Sequence, residues 1–194
     1  MSYEIHMKQQ HVKHDSITAK ILTVLYPDRQ MTFQQICESL QCKKASVKRA
    51  IMLMIKPHPR YIKTCEGKEN YNRCYSLTQY GRWFAICSRL NVSFLSLCML
   101  SDIYILEKTM NESDTNGFYP VVRIRELIDN TTNRHTKYSD RCLQIKLQQL
   151  TKQNIVKRLQ KNIVGIYPNF FAHLKKNYDH DLLLLQRWFY STIG

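Results

Sequence analysis

The chain has 194 residues, 44% of them hydrophobic, and its 29 Lys and Arg outnumber its 15 Asp and Glu to give a net charge of +14. Only five Gly and five Pro are present, which excludes long flexible or low-complexity segments, and the apolar fraction is that of a protein with a buried core. So large an excess of positive charge favours a polyanionic partner, most commonly nucleic acid.

The sequence shows no pattern typical of secretion or of a membrane span. Its first fifteen residues are polar, and the longest apolar stretch, residues 92–106, is interrupted by three serines and an aspartate. We therefore expect an intracellular, cytoplasmic protein that does not enter a membrane.

Three helices are expected in the first part of the chain. Apolar residues at helical spacing predict the first helix over residues 15–26. Thr32 and Gln35 form a T-x-x-Q capping box, which predicts that a second helix begins there. A polar turn then leads to a third helix over residues 46–55.

The third helix is expected to present two different faces. Its inner face is the apolar stripe of Val47, Ala50, Ile51 and Met54. The outer face and the turn before it carry Lys43, Lys44, Lys48, Arg49 and Met52. A helix that reads DNA needs base-edge and phosphate donors on the side away from its core. We therefore expect Ser46, Lys48 and Arg49 to contact bases, and the two lysines of the turn to contact phosphates.

A charged β-hairpin is expected after the third helix. Two strands, 61–66 and 72–77, flank a polar turn. The candidate DNA-binding residues here are Lys63, Lys68, Asn70, Asn72 and Arg73. Such a basic wing lies along the phosphate backbone or enters the minor groove. Cys65 and Cys74 would face each other across the two strands, and the sequence leaves open whether they are thiols or a disulfide.

The segment Leu77–Arg82, with the sequence LTQYGR, closes this unit. It resembles the LTxxG(K/R) signature that follows the wing in archaeal and bacterial winged-helix regulators, and the resemblance covers residues 1–90. It implies a winged helix-turn-helix domain that binds double-stranded DNA, with the glycine opening the next helix. Regulators of this kind often dimerise through the helix after the wing. The resemblance therefore gives a homodimer through residues 93–112 as one option for this helix.

A second, looser copy of the same order is expected in residues 91–194. The apolar helix 93–112 comes first and is either core or a dimer interface. A short helix over residues 122–128 and a polar run over residues 130–137 follow. The polar run contains the candidate phosphate contacts Arg134 and Lys137.

The rest of the second copy repeats the helix and the hairpin. Ser139 is a good N-cap for a helix whose outward residues would be Arg141, Gln144, Gln148 and Lys152, the first three of them candidate DNA contacts. Ile145 also lies on this outer face, which departs from the pattern of the first copy. Two strands, 155–159 and 163–167, then form a tighter wing whose candidate DNA-binding residues are Lys157 and Lys161. A C-terminal helix covers residues 170–190. An outward Ile145 either contacts a thymine methyl group or, more commonly, lies on plain or protein-binding surface.

The sequence contains no catalytic or cofactor motif. There is no Gly-rich phosphate loop, no HExxH and no G-x-S-x-G, and the 15 acidic residues are scattered. We therefore expect no enzymatic activity, no cofactor and no metal.

The expected fold is mainly α with small β-hairpin wings: two winged-helix units, 1–90 and 91–194, joined by a long apolar helix. The expected function is sequence-specific binding of double-stranded DNA through helix 46–55 and wing 61–77, in a transcription regulator that dimerises through residues 93–112 or the C-terminal helix. Two alternatives remain open, a plasmid or viral replication initiator with paired winged helices and a winged-helix protein-interaction module.

Overall fold

The computed structural model describes residues 16–56, 61–65, 73–113, 122–123, 139–160 and 163–191. Over these ranges the protein is mainly helical, with seven helices and two three-stranded antiparallel sheets. This confirms the expected class, mainly α with small β-hairpins. The chain divides into two compact units, unit 1 (Met1–Ser93) and unit 2 (Phe94–Gly194).

Unit 1 contains the first four helices and three strands: α1 (Ile17–Leu25), β1 (Met31–Thr32), α2 (Phe33–Leu40), α3 (Lys44–Ile55), β2 (Ile62–Cys65), β3 (Cys74–Leu77) and α4 (Gln79–Leu90). Strand β3 lies between β1 and β2 and pairs antiparallel with both. The sequence did not predict β1, because two residues are too few to show an alternating pattern. The core of the unit is built from buried side chains of all four helices and of β2, including Leu22, Ile36, Met54, Ile62 and Trp83.

Hydroxyl side chains start three of the helices in unit 1. The capping box is confirmed, since Thr32 Oγ1 accepts from the backbone N–H of Gln35 while the Gln35 side chain accepts from the backbone N–H of Thr32. Ser16 caps α1 and Thr78 caps α4 through the hydroxyl oxygen, which accepts from the backbone N–H three residues later. Helix α3 is different: its N-cap residue is Lys43, which makes no capping hydrogen bond through its side chain.

Unit 2 repeats the sheet pattern of unit 1 among its described residues. Its elements are α5 (Phe94–Ser113), β4 (Val122–Arg123), α6 (Asp140–Lys152), β5 (Val156–Gln160), β6 (Ile163–Ile166) and α7 (Pro168–Ser191). Strand β6 lies between β4 and β5 and pairs antiparallel with both. In each unit, therefore, the last strand is the central one.

The prediction of a short helix over residues 122–128 is wrong for its first two residues. Val122 and Arg123 form strand β4, where they pair with Val164 and Ile163 of β6. The reason is tertiary: a short apolar stretch is compatible with a helix or a strand, and here a distant strand provides the hydrogen-bond partners. The remaining residues of that expected helix, and the polar run after it, lie outside the described residues.

Polar contacts tie α5 to α7 inside unit 2. The hydroxyl of Ser101 donates to the backbone oxygen of Leu182 at 3.0 Å, and Tyr104 OH donates to Asp179 Oδ1 at 2.7 Å. Lys108 Nζ forms an ion pair with the same carboxylate at 2.8 Å. Burial raises the pKa of Asp179, but the hydrogen bonds from Lys108 and Tyr104 and the charges of Lys108 and Lys175 together lower the pKa below its ordinary value.

None of the helices in the described ranges has both the length and the hydropathy that crossing a membrane by itself would require.

Candidate nucleic-acid interface

The exposed face of α3 carries a regular row of side chains that we call the contact stripe. It consists of Ala45, Arg49, Met52 and Lys56, which follow one another at intervals of four, three and four residues. Residues at this spacing share one face of a helix. All four are exposed, whereas Val47, Ala50, Ile51 and Met54 on the opposite face are buried. The core side of α3 is therefore the one that the sequence predicted.

The predicted basic residues of α3 lie on or beside the contact stripe. Arg49 belongs to the stripe, Lys48 is exposed beside it, and Lys43 and Lys44 are exposed at the start of the helix. Ser46 is only half exposed and lies towards the buried side, so it is less suited to reach a base edge than the sequence suggested. The helix also begins earlier than expected, so Lys44 is its first residue.

Two members of the contact stripe, Ala45 and Lys56, were not among the predicted site residues. Both continue the row that Arg49 and Met52 define. The helical spacing was present in the sequence and extending it in both directions would have found them.

The amino end of α3 is unusually positive for a helix. Lys43 and Lys44 lie where the helix dipole is already positive, and no acidic residue occupies the first turn. With no side-chain cap, the first backbone N–H groups remain directed towards the same region. Cations there are unfavourable for the helix itself, but they strengthen a site for a phosphate group.

The β2–β3 hairpin presents two of the five predicted wing residues in the described ranges. Lys63 on β2 and Arg73, next to β3, are both exposed. Lys63 is on the opposite side of its strand from the buried Ile62, and the start of the hairpin is joined to the end of α3 by a hydrogen bond from Tyr61 N to Met54 O at 3.1 Å. Lys68, Asn70 and Asn72 lie outside the described residues.

The cations of this region have no acidic partner among the residues that the structure describes. The ion pairs there join Arg82 to Asp28 and Lys108 to Asp179. Neither involves a basic residue of α3 or β2. No acidic residue in the described ranges therefore neutralises the basic residues of α3 and β2, and their charge is available to an anionic partner.

Cys65 and Cys74 are directly opposite each other in the antiparallel register of β2 and β3, as the sequence suggested. Both are thiols in this structure and both are partly exposed. The Cys65 sulfur lies 3.0 Å from the hydroxyl of Ser76, which is on the same face of β3 as Cys74. The two thiols therefore share one face of the hairpin, at the end of the paired strands nearest the turn.

Unit 2 has a corresponding but less basic helix face. The expected N-cap Ser139 is confirmed, as is the buried stripe of Leu143, Leu147 and Leu150. The outward row on α6 is Arg141, Ile145, Gln148 and Lys152, at the same spacing as the contact stripe of α3. All four are exposed, whereas Gln144 is half-buried beside them.

The amino end of α6 is also less suited to phosphate than that of α3. The Ser139 hydroxyl caps the N–H of Cys142, and Asp140 adds a negative charge in the first turn. Both features stabilise the helix and make the site less attractive to an anion.

Lys157, a predicted DNA contact on β5, is half-buried and not fully exposed. Its positive charge interacts with a buried carboxyl group. The neighbouring Arg158 is exposed, and Leu159 after it is an exposed residue at an irregularity in the β5–β6 register. The other predicted residues of this unit, Arg134, Lys137 and Lys161, lie outside the described residues.

The carboxyl group near Lys157 belongs to Glu107 of α5, which is 2% exposed. Its Oε1 accepts a hydrogen bond of 2.6 Å from the backbone N–H of Ile166. Burial raises the pKa of Glu107 to about 7, and the Ile166 N–H and the charge of Lys157 only partly offset that rise. A β-carbon on the neighbouring Gly165 would come within 3.0 Å of the same oxygen.

Among the residues that the structure describes, no three His, Cys, Asp or Glu side chains come together in a way that could hold a metal ion. The candidate site is the contact stripe together with the lysines at its amino end.

No protein-family model matches this chain, and no curated protein is similar to it. The resemblance of residues 1–90 to winged-helix regulators thus depends on the chain's own residues and on the order of its elements.

Proposed function

We propose that this protein is a sequence-specific duplex-DNA-binding protein with two winged-helix units, acting inside the cell as a transcription regulator. The support for the fold is the order α1, β1, α2, α3, β2, β3, with β3 in the centre of the sheet. Unit 2 has the same strand arrangement and a helix, α6, in the place of α3. A winged helix places its third helix in the major groove and its hairpin on the backbone.

The observation that carries the proposal is the exposed basic face of α3. Lys43, Lys44, Lys48, Arg49 and Lys56 are exposed, and none is paired with an acid among the described residues. A helix of 12 residues is about 18 Å long at the usual rise. The major groove is about 12 Å wide and admits an α-helix, so both shape and charge suit it.

The basic residues have different roles in this proposal. Lys43, Lys44, Lys63 and Arg73 contact phosphates, which sets the register of the protein on the duplex without reading sequence. Lys48 and Arg49 reach base edges, where an arginine donates two hydrogen bonds to guanine. Lys68 and the other residues of the wing tip keep their predicted phosphate role.

Unit 2 is the weaker DNA contact in this proposal. The outward row of α6 has two cations, Arg141 and Lys152, and its amino end carries an acidic residue. The positive charge of Lys157 interacts with the carboxyl group of Glu107 and is therefore less available to a phosphate group. Unit 2 therefore adds contacts to those of unit 1 but does not replace them.

A homodimer remains part of the proposal, and the burial of α5 favours α7 as its interface. Side chains of α5 from Leu95 to Tyr104 are buried within a single chain. A helix whose apolar side chains are already covered offers little to a second subunit. Helix α7 has half-exposed apolar residues at Phe170, Leu183, Leu184 and Trp188.

The proposal is tested by measuring the affinity for a labelled duplex by fluorescence anisotropy between 50 and about 300 mM salt, since phosphate contacts make affinity fall with salt. The test variant is the double substitution Lys43→Gln and Lys44→Gln at the start of α3, which removes two of the proposed phosphate contacts. The control is Lys20→Gln with Arg29→Gln, which removes the same charge from exposed positions of unit 1 outside α3 and the hairpin.

We expect the α3 variant to bind more weakly and to reduce the slope of log affinity against log salt by about two. The control with Lys20→Gln and Arg29→Gln should stay close to the wild type. Equal losses for both variants would mean that the net charge, and not the α3 face, attracts DNA. The absence of measurable binding at any salt would favour the protein-interaction alternative. Preferred binding to repeated sites at an origin would identify a replication initiator that uses the same surface.

A further inference from the structure

The contact stripe contains a side chain that phosphate binding does not explain. Met52 is 46% exposed and lies between Arg49 and Lys56 on the same face of α3. Ala45, also exposed and apolar, begins the stripe. The stripe therefore alternates apolar and cationic residues along its length.

This alternation restricts the chemistry of the partner. The cations call for an anionic surface, so a purely apolar protein face would leave Arg49 and Lys56 without compensation. An apolar side chain in their midst gains only if the same surface also offers an apolar group. In the major groove of DNA, the C5-methyl group of thymine is the apolar group among the base edges.

We propose that Met52 and Ala45 read thymine methyl groups in the major groove, so that α3 selects sites by the position of thymine as well as by hydrogen bonding. This inference rests on the proposed function and specifies what that surface recognises. The flanking Arg49 and Lys56 hold the helix at the groove, and Met52 fills the space beside the methyl group.

Unit 2 provides an independent observation of the same design. The outward row on α6 also places a branched apolar residue, Ile145, between a cation and polar residues. Ile145 is 45% exposed, close to the value for Met52. The two helices thus share a large exposed apolar side chain within a row that also carries cations, at the same helical spacing.

The experiment begins with selection of the best-bound sequences from a random duplex pool by the wild-type protein. The strongest duplex is then synthesised twice, once with thymine and once with deoxyuracil at every thymine position. The two duplexes differ only in the C5-methyl groups, so phosphate contacts and base-edge hydrogen bonds are unchanged. Affinities are measured by anisotropy at one salt concentration.

Two variants accompany the wild type. Met52→Ala removes the proposed methyl contact. Leu53→Ala is the matched control, because Leu53 is 62% exposed on the same helix but lies about 100° around its axis from Met52. Both positions are exposed, so we expect both variants to fold, and circular dichroism verifies this.

We expect the thymine duplex to bind the wild type more tightly than the deoxyuracil duplex, by about fourfold for each methyl group that is buried. Met52→Ala should lower that ratio by about fourfold, leaving the part that Ala45 contributes, and Leu53→Ala should keep it unchanged. Tight binding with equal affinity for the two duplexes overturns the inference and leaves the proposed function intact. A ratio that Met52→Ala does not change overturns it also. If no duplex binds at any salt, the proposed function fails together with the inference.

Discussion

The carbonyl oxygen of Tyr61 occupies the place where a β-carbon on Gly81 would lie. Thr78 holds the same carbonyl, donating to it from its backbone N–H at 3.0 Å and from its hydroxyl at 3.1 Å. The Thr78 hydroxyl oxygen in turn accepts from the N–H of Gly81 at 3.1 Å. Threonine and glycine at this spacing therefore join the start of β2 to the start of α4.

Arginine in the same motif fastens another part of unit 1. The guanidinium of Arg82 donates to the backbone oxygen of Pro27 and forms an ion pair with Asp28. It also lies over the ring of Tyr26, with 5.6 Å between its central carbon and the ring centroid. The LTQYGR segment thus has a structural role in unit 1, whatever the function of the unit.

We expect Gly81→Ala to destabilise the protein by about 3 kcal/mol or more, because the added methyl group meets backbone atoms that cannot move aside as a flexible side chain would. Urea unfolding followed by circular dichroism measures the change. Gln79→Ala, at an exposed position of the same helix, is the control and should stay near the wild type. A fully stable Gly81→Ala protein would show that the Tyr61 carbonyl is not held as described.

Lys44→Glu should change stability and DNA affinity in opposite directions. A negative charge at the first residue of α3 suits the helix dipole and should stabilise the fold by about 0.3–1 kcal/mol, while the loss of a cation weakens phosphate binding. Thermal unfolding and anisotropy measure the two effects. Lys152→Glu makes the same charge change at the carboxyl end of α6 and should lower stability instead. If Lys44→Glu lowered both the stability and the DNA affinity, loss of the folded structure alone would explain the weaker binding.

Glu107 should make stability depend on pH in a defined direction. Its pKa is about 7 in the folded protein, against 4.5 for an unperturbed glutamate, so the folded state binds the proton more strongly. The free energy of unfolding should therefore fall as pH rises between these two values and level off above pH 7, by at most about 3 kcal/mol from this group.

The variant Glu107→Gln isolates this contribution, because its amide oxygen can still accept from Ile166 N–H but does not ionise. Urea unfolding at pH 5 and pH 8 should show wild type and variant closest at pH 5, with the variant gaining relative stability at pH 8. A difference between the two proteins that is the same at both pH values would rule out titration of Glu107 as the cause.

Oxidation should join Cys65 to Cys74 before any other pair of cysteines in the described residues, because they face each other in register. Treatment with oxidised glutathione would form the bond by exchange, with release of reduced glutathione. Peptide mapping by mass spectrometry identifies the linked pair, and Cys65→Ser should abolish it. A different dominant pair would mean that the register or the accessibility of the thiols has been misjudged.

The sequence was most informative where the structure is locally determined. The caps at Thr32 and Ser139 depend on residues three positions apart, so both were predictable. The apolar stripe of α3 follows from helical spacing in the same way. Local rules therefore located the helices and the faces that they bury.

Features that depend on distant partners were missed or misread. Strand β1 exists because β3 pairs with it, and Val122 is in a strand because β6 does the same. The surroundings of Lys157 are set by Glu107, which lies fifty residues earlier in the chain. No local pattern contains this information, because tertiary packing brings these groups together.

The most direct test of the central claim is photo-crosslinking from the exposed face of α3 to duplex DNA. A photoreactive benzoylphenylalanine replaces Met52 on the contact stripe, and in control proteins it replaces Gln79 of α4 or Ala172 of α7, which are also exposed. Irradiation with labelled duplex at moderate salt should yield a crosslink from position 52 and little from the other two. Equal crosslinking from all three positions, or none from position 52 while the protein binds DNA, would contradict the account.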